Sequence, residues 1–204
     1  MSNEENYMRD LVEIRSMMER SSRFLTLSGW AGISAGLYAL AASYVAVAVF
    51  DFSPGVAPVT LEERARWFPV LGLAAGTLLL ALATAVWFSY RKAQVKGEKV
   101  WTATLRRMLE QIAVPLISGG MVLLVFWSRG LIGWIAPLSL VFYGLALYSA
   151  GKFTYSEVKW MGLAQLLLGL LACLFVEYGL WFWAAGFGVV HIVYGVYMYT
   201  KYDQ

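Results

Sequence analysis

WFPVLGLAAGTLLLALATAVWFSYRKAQVKGEK, residues 67–99, is apolar from Trp67 to Ser89 and then basic at Arg91, Lys92, Lys96 and Lys99. A bilayer core about 30 Å thick is crossed by roughly 20 apolar residues in a helix. The stretch therefore reads as a membrane helix that leads into a charged loop. The same pattern recurs along the chain. Apolar spans are read at 24–50, 67–89, 112–128, 131–150, 160–177 and 180–200, separated by short loops.

Composition agrees with this reading. The 204 residues are 60% hydrophobic and 14% charged, with a mean hydropathy of +0.62. Soluble domains carry about 25% charged residues. The spans use most of the chain and leave no room for a separate soluble domain. The expected fold class is all-α: a polytopic membrane protein whose six transmembrane helices form three consecutive hairpins. An N-terminal amphipathic helix precedes them. The domains are 1–23, a cytoplasmic amphipathic helix, and 24–204, the six-helix transmembrane domain. Pro115 near the start of the third span predicts a kink. Pro137 lies in the first turns of the fourth, where its missing N–H costs little. The lone Cys173 excludes an intrachain disulfide and suits a packed, inert thiol.

The opening Met1-Ser2-Asn3-Glu4-Glu5-Asn6 is acidic and polar, so a cleavable signal peptide is not expected. Lys and Arg concentrate in alternate segments. The N-terminal segment, the loop from Arg91 to Arg107, the fourth loop and the C-terminus together hold 13 of them. The remaining loops hold only Arg64, Arg66 and Arg129. Short basic loops stay cytoplasmic, so both termini are expected inside. The expected location is a bacterial inner (cytoplasmic) membrane, crossed several times. Topology explains the basic pI without nucleic acid. The Arg91–Arg107 loop is also suited to anionic lipid head groups.

In the N-terminal segment, Tyr7, Leu11, Ile14 and Met18 share a helical face opposite Arg9, Glu13, Ser16 and Arg20. Arg9–Glu13 and Arg15–Glu19 have pairing spacing. Its mixed charge favours packing on a protein surface over anionic lipid, with a plain helical lead-in to the first span as the alternative. Ser28, Gly32 and Gly36 form a small-residue stripe in the first span, beside Ala31, Ala35, Ala39 and Ser43. Gly72 and Gly76 do the same in the second. Such stripes mark close helix approach, to neighbouring helices or in a homodimer. The expected partners are the lipid bilayer and, through the N-terminal helix and these faces, a second copy or another membrane protein. Trp67, Trp87, Trp127, Trp160 and Tyr178 near span ends fit interfacial aromatic belts.

The third and fourth spans resemble the fifth and sixth. Gly120 aligns with Gly169, Phe126 with Phe175, Gly130-Leu131 with Gly179-Leu180, Trp134 with Trp183, and Ala136 with Ala185. After a two-residue shift, Tyr143-Gly144 aligns with Tyr194-Gly195 and Tyr148 with Tyr199. The internal repeat would be parallel, since each two-helix unit returns the chain to the same side. The stretch Gly169-Leu-Leu-Ala…Glu177-Tyr-Gly-Leu…Gly186-Phe-Gly…Tyr194-Gly195 resembles the hairpin repeat of the acid-resistance membrane protein family. With Gly186-Phe-Gly-Val-Val-His-Ile-Val-Tyr-Gly, the chain also resembles uncharacterised small bacterial six-helix inner-membrane proteins. The resemblance implies a bacterial inner membrane and a stress-linked role. It carries no catalytic residue. The charged N-terminal helix departs from the acid-resistance pattern.

The candidate intramembrane functional residues are His191, Glu177 and Gln165. His191 is the only histidine, near the middle of the sixth span, where the repeat offers Phe142 or Leu140. An ionisable group at that depth marks function by default; the alternative is a hydrogen bond to a neighbouring Ser, Thr, Tyr or carbonyl. Glu177 ends the fifth span beside the position equivalent to Arg129, so Arg129 and Glu177 form a candidate outer ion pair. Gln165, Ser118 and Ser139 are candidate interhelical bridges at about 0.6 kcal/mol each. Arg106 and Glu110 have pairing spacing.

No nucleophile–base set, paired carboxylates or metal-ligand spacing occurs in the spans, which points away from an enzyme. No catalytic, cofactor or metal site is expected. The leading expectation is a non-enzymatic integral inner-membrane protein, a stress-linked envelope component acting by association. The alternative is a small-solute or proton-coupled transporter or channel with His191, Glu177 and Gln165 on its path. A haem- or quinone-associated electron carrier using His191 is third.

Overall fold

The computed structural model describes residues 28–95, 97 and 101–203. The expected amphipathic helix at 1–23 lies outside them. Helices α1 (Gly29–Ala48), α2 (Leu61–Arg66), α3 (Phe68–Val95), α4 (Ala103–Ser128), α5 (Ile135–Ala150), α6 (Ser156–Leu174), α7 (Gly179–Trp183) and α8 (His191–Tyr202) follow in order. Short 3₁₀ turns at Ile132–Trp134 and Val176–Tyr178 enter α5 and α7, and a π-helical segment, Ala184–Val190, joins α7 to α8. No strand occurs among the described residues. Six helical stretches are long and apolar enough to cross a membrane: Gly29–Ala48, Leu61–Val95, Ala103–Ser128, Ile132–Ala150, Ser156–Leu174 and Val176–Tyr202.

Local chemistry sets the helix ends. At α2, Thr60 Oγ1 accepts from Glu63 N at 3.3 Å while Glu63 accepts from Thr60 N at 2.9 Å. This reciprocal capping box satisfies two orphan donors. Thr102 caps α4 by accepting from Leu105 N at 3.1 Å. That helix therefore begins nine residues before the span read from hydropathy, and it continues through Pro115. At its end Leu131 N donates to Phe126 O and Gly130 N to Trp127 O, the paired bonds of a Schellman motif. Gly130 supplies the required left-handed turn with φ +76°.

Small residues decide which helices touch. A Cβ on Gly144 would lie 2.6 Å from Leu166 N, and one on Gly162 2.6 Å from Tyr148 N, so the α5 and α6 backbones meet. Across a second seam, a Cβ on Gly32 would lie 3.0 Å from Gly195 Cα, and one on Gly36 2.6 Å from Gly188 O. This seam joins α1 to the π segment and α8. Close packing thus runs between α5 and α6 and between α1 and α8, crossing the boundaries of the expected hairpins. The α1 stripe serves this seam. Gly72 and Gly76 on α3 face no neighbour within 4 Å, because α3 meets α1 through other positions.

The chain ends pin one end of the bundle. Asp203 accepts from Gly29 N at 2.8 Å, from Ser28 Oγ at 3.1 Å and from Lys92 Nζ at 2.5 Å. One carboxylate thereby caps α1 and holds the last turns of α3 and α8. Met108, Ala150, Tyr155, Val158 and Met198 pack beside it. At the opposite end, the loop after α1 folds over the α4–α5 turn, where Val59 N donates to Gly130 O at 3.0 Å.

Candidate functional site

Two places carry polar or aromatic groups beyond what packing needs. The first is in the bundle interior. His191 is buried at the start of α8, and the π segment before it brings the Gly186 carbonyl beside its ring. His191 Nδ1 lies 3.1 Å from Gly186 O, and Nε2 lies 2.9 Å from the Tyr143 hydroxyl. A carbonyl only accepts, so the proton sits on Nδ1 and the Tyr143 hydroxyl donates to Nε2. Gln165, fully buried on α6, donates from Nε2 to the same carbonyl at 2.8 Å. The 3.4 Å approach of this amide nitrogen to Nδ1 sets two donors side by side on a shared acceptor. Gln165 Oε1 has no partner, and a Cβ on Gly186 would lie within 2.4 Å of it. A side chain at position 186 would therefore displace the ends of Gln165 and Leu140.

His191 and Gln165 are therefore brought together, with Tyr143 as the partner the sequence reading did not single out. Both ring nitrogens are engaged within the protein. Aromatic rings surround the group: Phe187 stacks 5.8 Å from His191, and Tyr143 lies 4.9 Å from Phe187 between centroids. The two-residue shift in the internal comparison falls between Ala185 and Tyr194, where the chain winds as a π-helix. A π-helix absorbs extra residues without breaking the helix, and such segments recur at functional sites.

The second place is a cavity of about 360 Å³ at the end of the bundle away from the chain ends. Five aromatic residues line it: Phe52, Trp67, Trp127, Trp181 and Trp183. Phe52 meets Trp67 edge-on at 5.4 Å. Among the described residues, Asp51 and Glu177 are the charged ones that line it, and no basic side chain does. Asp51 follows α1 in the left-handed region, φ +47°, which Asp tolerates better than most residues. The cavity does not reach His191. Trp183 lines it and packs on Phe187, 4.9 Å between centroids. Phe187 in turn covers Tyr143 and His191.

Several expectations change. Glu177 lines the cavity, whereas His191 and Gln165 are not among its lining residues. Arg129 and Glu177 form no ion pair among the described residues. Arg129 is the exposed C-cap of α4, and the carbonyls there are served by Arg64, which donates to Ser128 O at 2.7 Å and Trp127 O at 3.3 Å. Ser118 and Ser139 do not bridge helices. Each hydroxyl donates back to its own helix, at Val114 O and Ala136 O. Arg106 and Glu110 do pair, at 3.1 Å. Trp87, Trp160 and Tyr178 are exposed, whereas Trp67 and Trp127 line the cavity. An acid beside an aromatic at the end of an apolar span, Asp51-Phe52, was the signal available in the sequence. It was missed because each element of the cavity brings only a few residues.

No family model, curated protein or solved structure significantly matches this chain.

Proposed function

We propose that the chain is a non-enzymatic, multi-pass protein of a bacterial inner membrane, with both termini cytoplasmic, and that it binds a small amphipathic molecule in the aromatic cavity. The cavity itself carries this reading. Its volume falls within the roughly 300–1,000 Å³ range of small-molecule sites, which are typically apolar with a few polar groups. The alternating basic loops support the orientation and put the cavity at the outer end. The family resemblance supports a stress-linked role.

Binding is the reading we favour over passage, because no residue of the His191 cluster lines the cavity. Haem ligation is disfavoured, since both His191 nitrogens already have partners. Binding of 1-aminoanthracene, a neutral aromatic dye, to the full chain in nanodiscs tests the proposal. Saturable fluorescence enhancement is expected, and Ala74→Trp, which fills the cavity wall, should abolish it. An unchanged titration in that variant rejects the cavity as the site.

A second reading is association. Gly72 and Gly76 on α3 and Gly120 on α4 have no neighbour within 4 Å. Small residues left open in membrane helices suit a further helix. Native mass spectrometry tests this: a monomer without partners under mild extraction counts against it.

A further inference from the structure

We infer that the ligand of the cavity is an organic cation with an apolar or aromatic body; this rests on the cavity being a binding site at all. The lining is electrostatically one-sided. Asp51 and Glu177 stand on it, and among the described residues no Lys, Arg or His does. Neither carboxylate has a hydrogen-bond or ion-pair partner among the described residues. The nearby Arg64 is turned to the carbonyls of Trp127 and Ser128 instead. Three other acids are paired, Asp203 with Lys92, Glu157 with Lys201 and Glu110 with Arg106, whereas Glu63 closes the cap of α2 and Glu62 lies beside it on the same exposed turn. The two cavity carboxylates are thus left available to a ligand.

The walls favour the same sign of charge. Four tryptophans, Trp67, Trp127, Trp181 and Trp183, line the cavity, and the face of a tryptophan ring is the strongest aromatic partner for ammonium groups. An inorganic ion does not match the site. A hard divalent cation needs about six to eight oxygen ligands, whereas this cavity is mainly aromatic and aliphatic and far larger than a single ion. Both carboxylates are exposed. The charge of the ligand is thus placed at the mouth, between Asp51 and Glu177, and its apolar body among the rings.

Competition against 1-aminoanthracene in nanodiscs tests the inference. Three competitors of similar shape are compared: benzyltrimethylammonium, its neutral isostere neopentylbenzene, and the anion phenylmethanesulfonate. Concentrations are corrected for partition into protein-free discs. The cation should displace the dye at roughly tenfold lower concentration than the neutral isostere, and the anion should be weakest. In Asp51→Asn/Glu177→Gln the advantage of the cation should fall about tenfold, with dye affinity within about twofold. Asn tolerates the left-handed backbone at position 51, so the variant keeps the loop geometry. Equal competition by the three compounds, or an unchanged advantage in the double variant, overturns the cation assignment while leaving the cavity reading intact. Absence of saturable dye binding overturns both.

Discussion

The interior cluster and the end cavity use polar groups in opposite ways. Around His191, hydrogen bonds close the imidazole on both sides: Tyr143 serves one nitrogen and Gly186 the other, with Gln165 on the same carbonyl. At the cavity, the Asp51 and Glu177 carboxylates have no partner among the described residues. A buried polar group satisfied by its neighbours contributes to structure, whereas an exposed charge beside an open volume is available to a ligand. The hydrogen bonds of the single histidine give it a structural part, and the commoner carboxylates are the ones we propose as the ligand site.

The largest effects should come from the seams that hold the interior cluster in place. Gly36→Leu or Gly144→Leu forces a side chain into neighbouring backbone or side-chain atoms at about 2.6 Å. Overpacking of this kind costs typically about 1–3 kcal/mol and occasionally more, and here no flexible neighbour can yield at Gly144. Loss of a monodisperse species in size-exclusion chromatography is expected. Gly72→Leu, with open space around it, should elute as the parent does. If both behave alike, the seams do not organise the fold.

Next in size is the cluster itself. Tyr143→Phe leaves His191 Nε2 buried without a donor, a loss of about 1–3 kcal/mol, read as a lower thermal midpoint in detergent. Tyr143→Phe combined with His191→Phe should cost less than the sum of the single changes, since both partners are then removed. Additive losses would show that the two side chains do not interact.

The clamp at the chain ends should be comparable or smaller. Asp203→Asn weakens three hydrogen bonds to Ser28, Gly29 and Lys92 at once. A loss of about 1–2 kcal/mol is expected from charge-assisted bonds at a largely buried site. Raised proteolysis near residues 28 and 92 would check it. The smallest effect belongs to Arg106→Ala. Both members of that pair are more than half exposed, and solvent screening limits it to about 0.5 kcal/mol or less. A thermal midpoint shifted by several degrees would contradict this.

The six long apolar helices were legible because hydropathy depends on local composition. Their bounds were less so. Thr102 caps α4 well before its apolar stretch begins, and Pro115 leaves the helix continuous. The glycine stripe of α1 was legible as a contact surface, but its partner on α8 was not. Spacing marks a face without naming what covers it. The same limit explains the Arg129–Glu177 pair, inferred from aligned positions. The turns differ in geometry, one closed by Gly130 at positive φ and the other entered through Phe175 at φ −125°. His191 was legible as unusual, and Gln165 as polar in an apolar span. Their convergence on Gly186 depends on the π-helical segment, which no local pattern announced apart from the two-residue shift. The cavity was not legible, because its rings come from the loop after α1, the junction of α2 and α3, α4 and α7, and four of them are tryptophans, which also suit an interface.

The most direct test compares 1-aminoanthracene titrations of Ala74→Trp and His191→Phe in nanodiscs. The account predicts that filling the cavity abolishes saturable binding, while the histidine variant keeps its affinity within about twofold, because the Trp183–Phe187 layer separates the two. Retained binding in Ala74→Trp together with loss in His191→Phe would contradict it and return the site to the interior of the bundle.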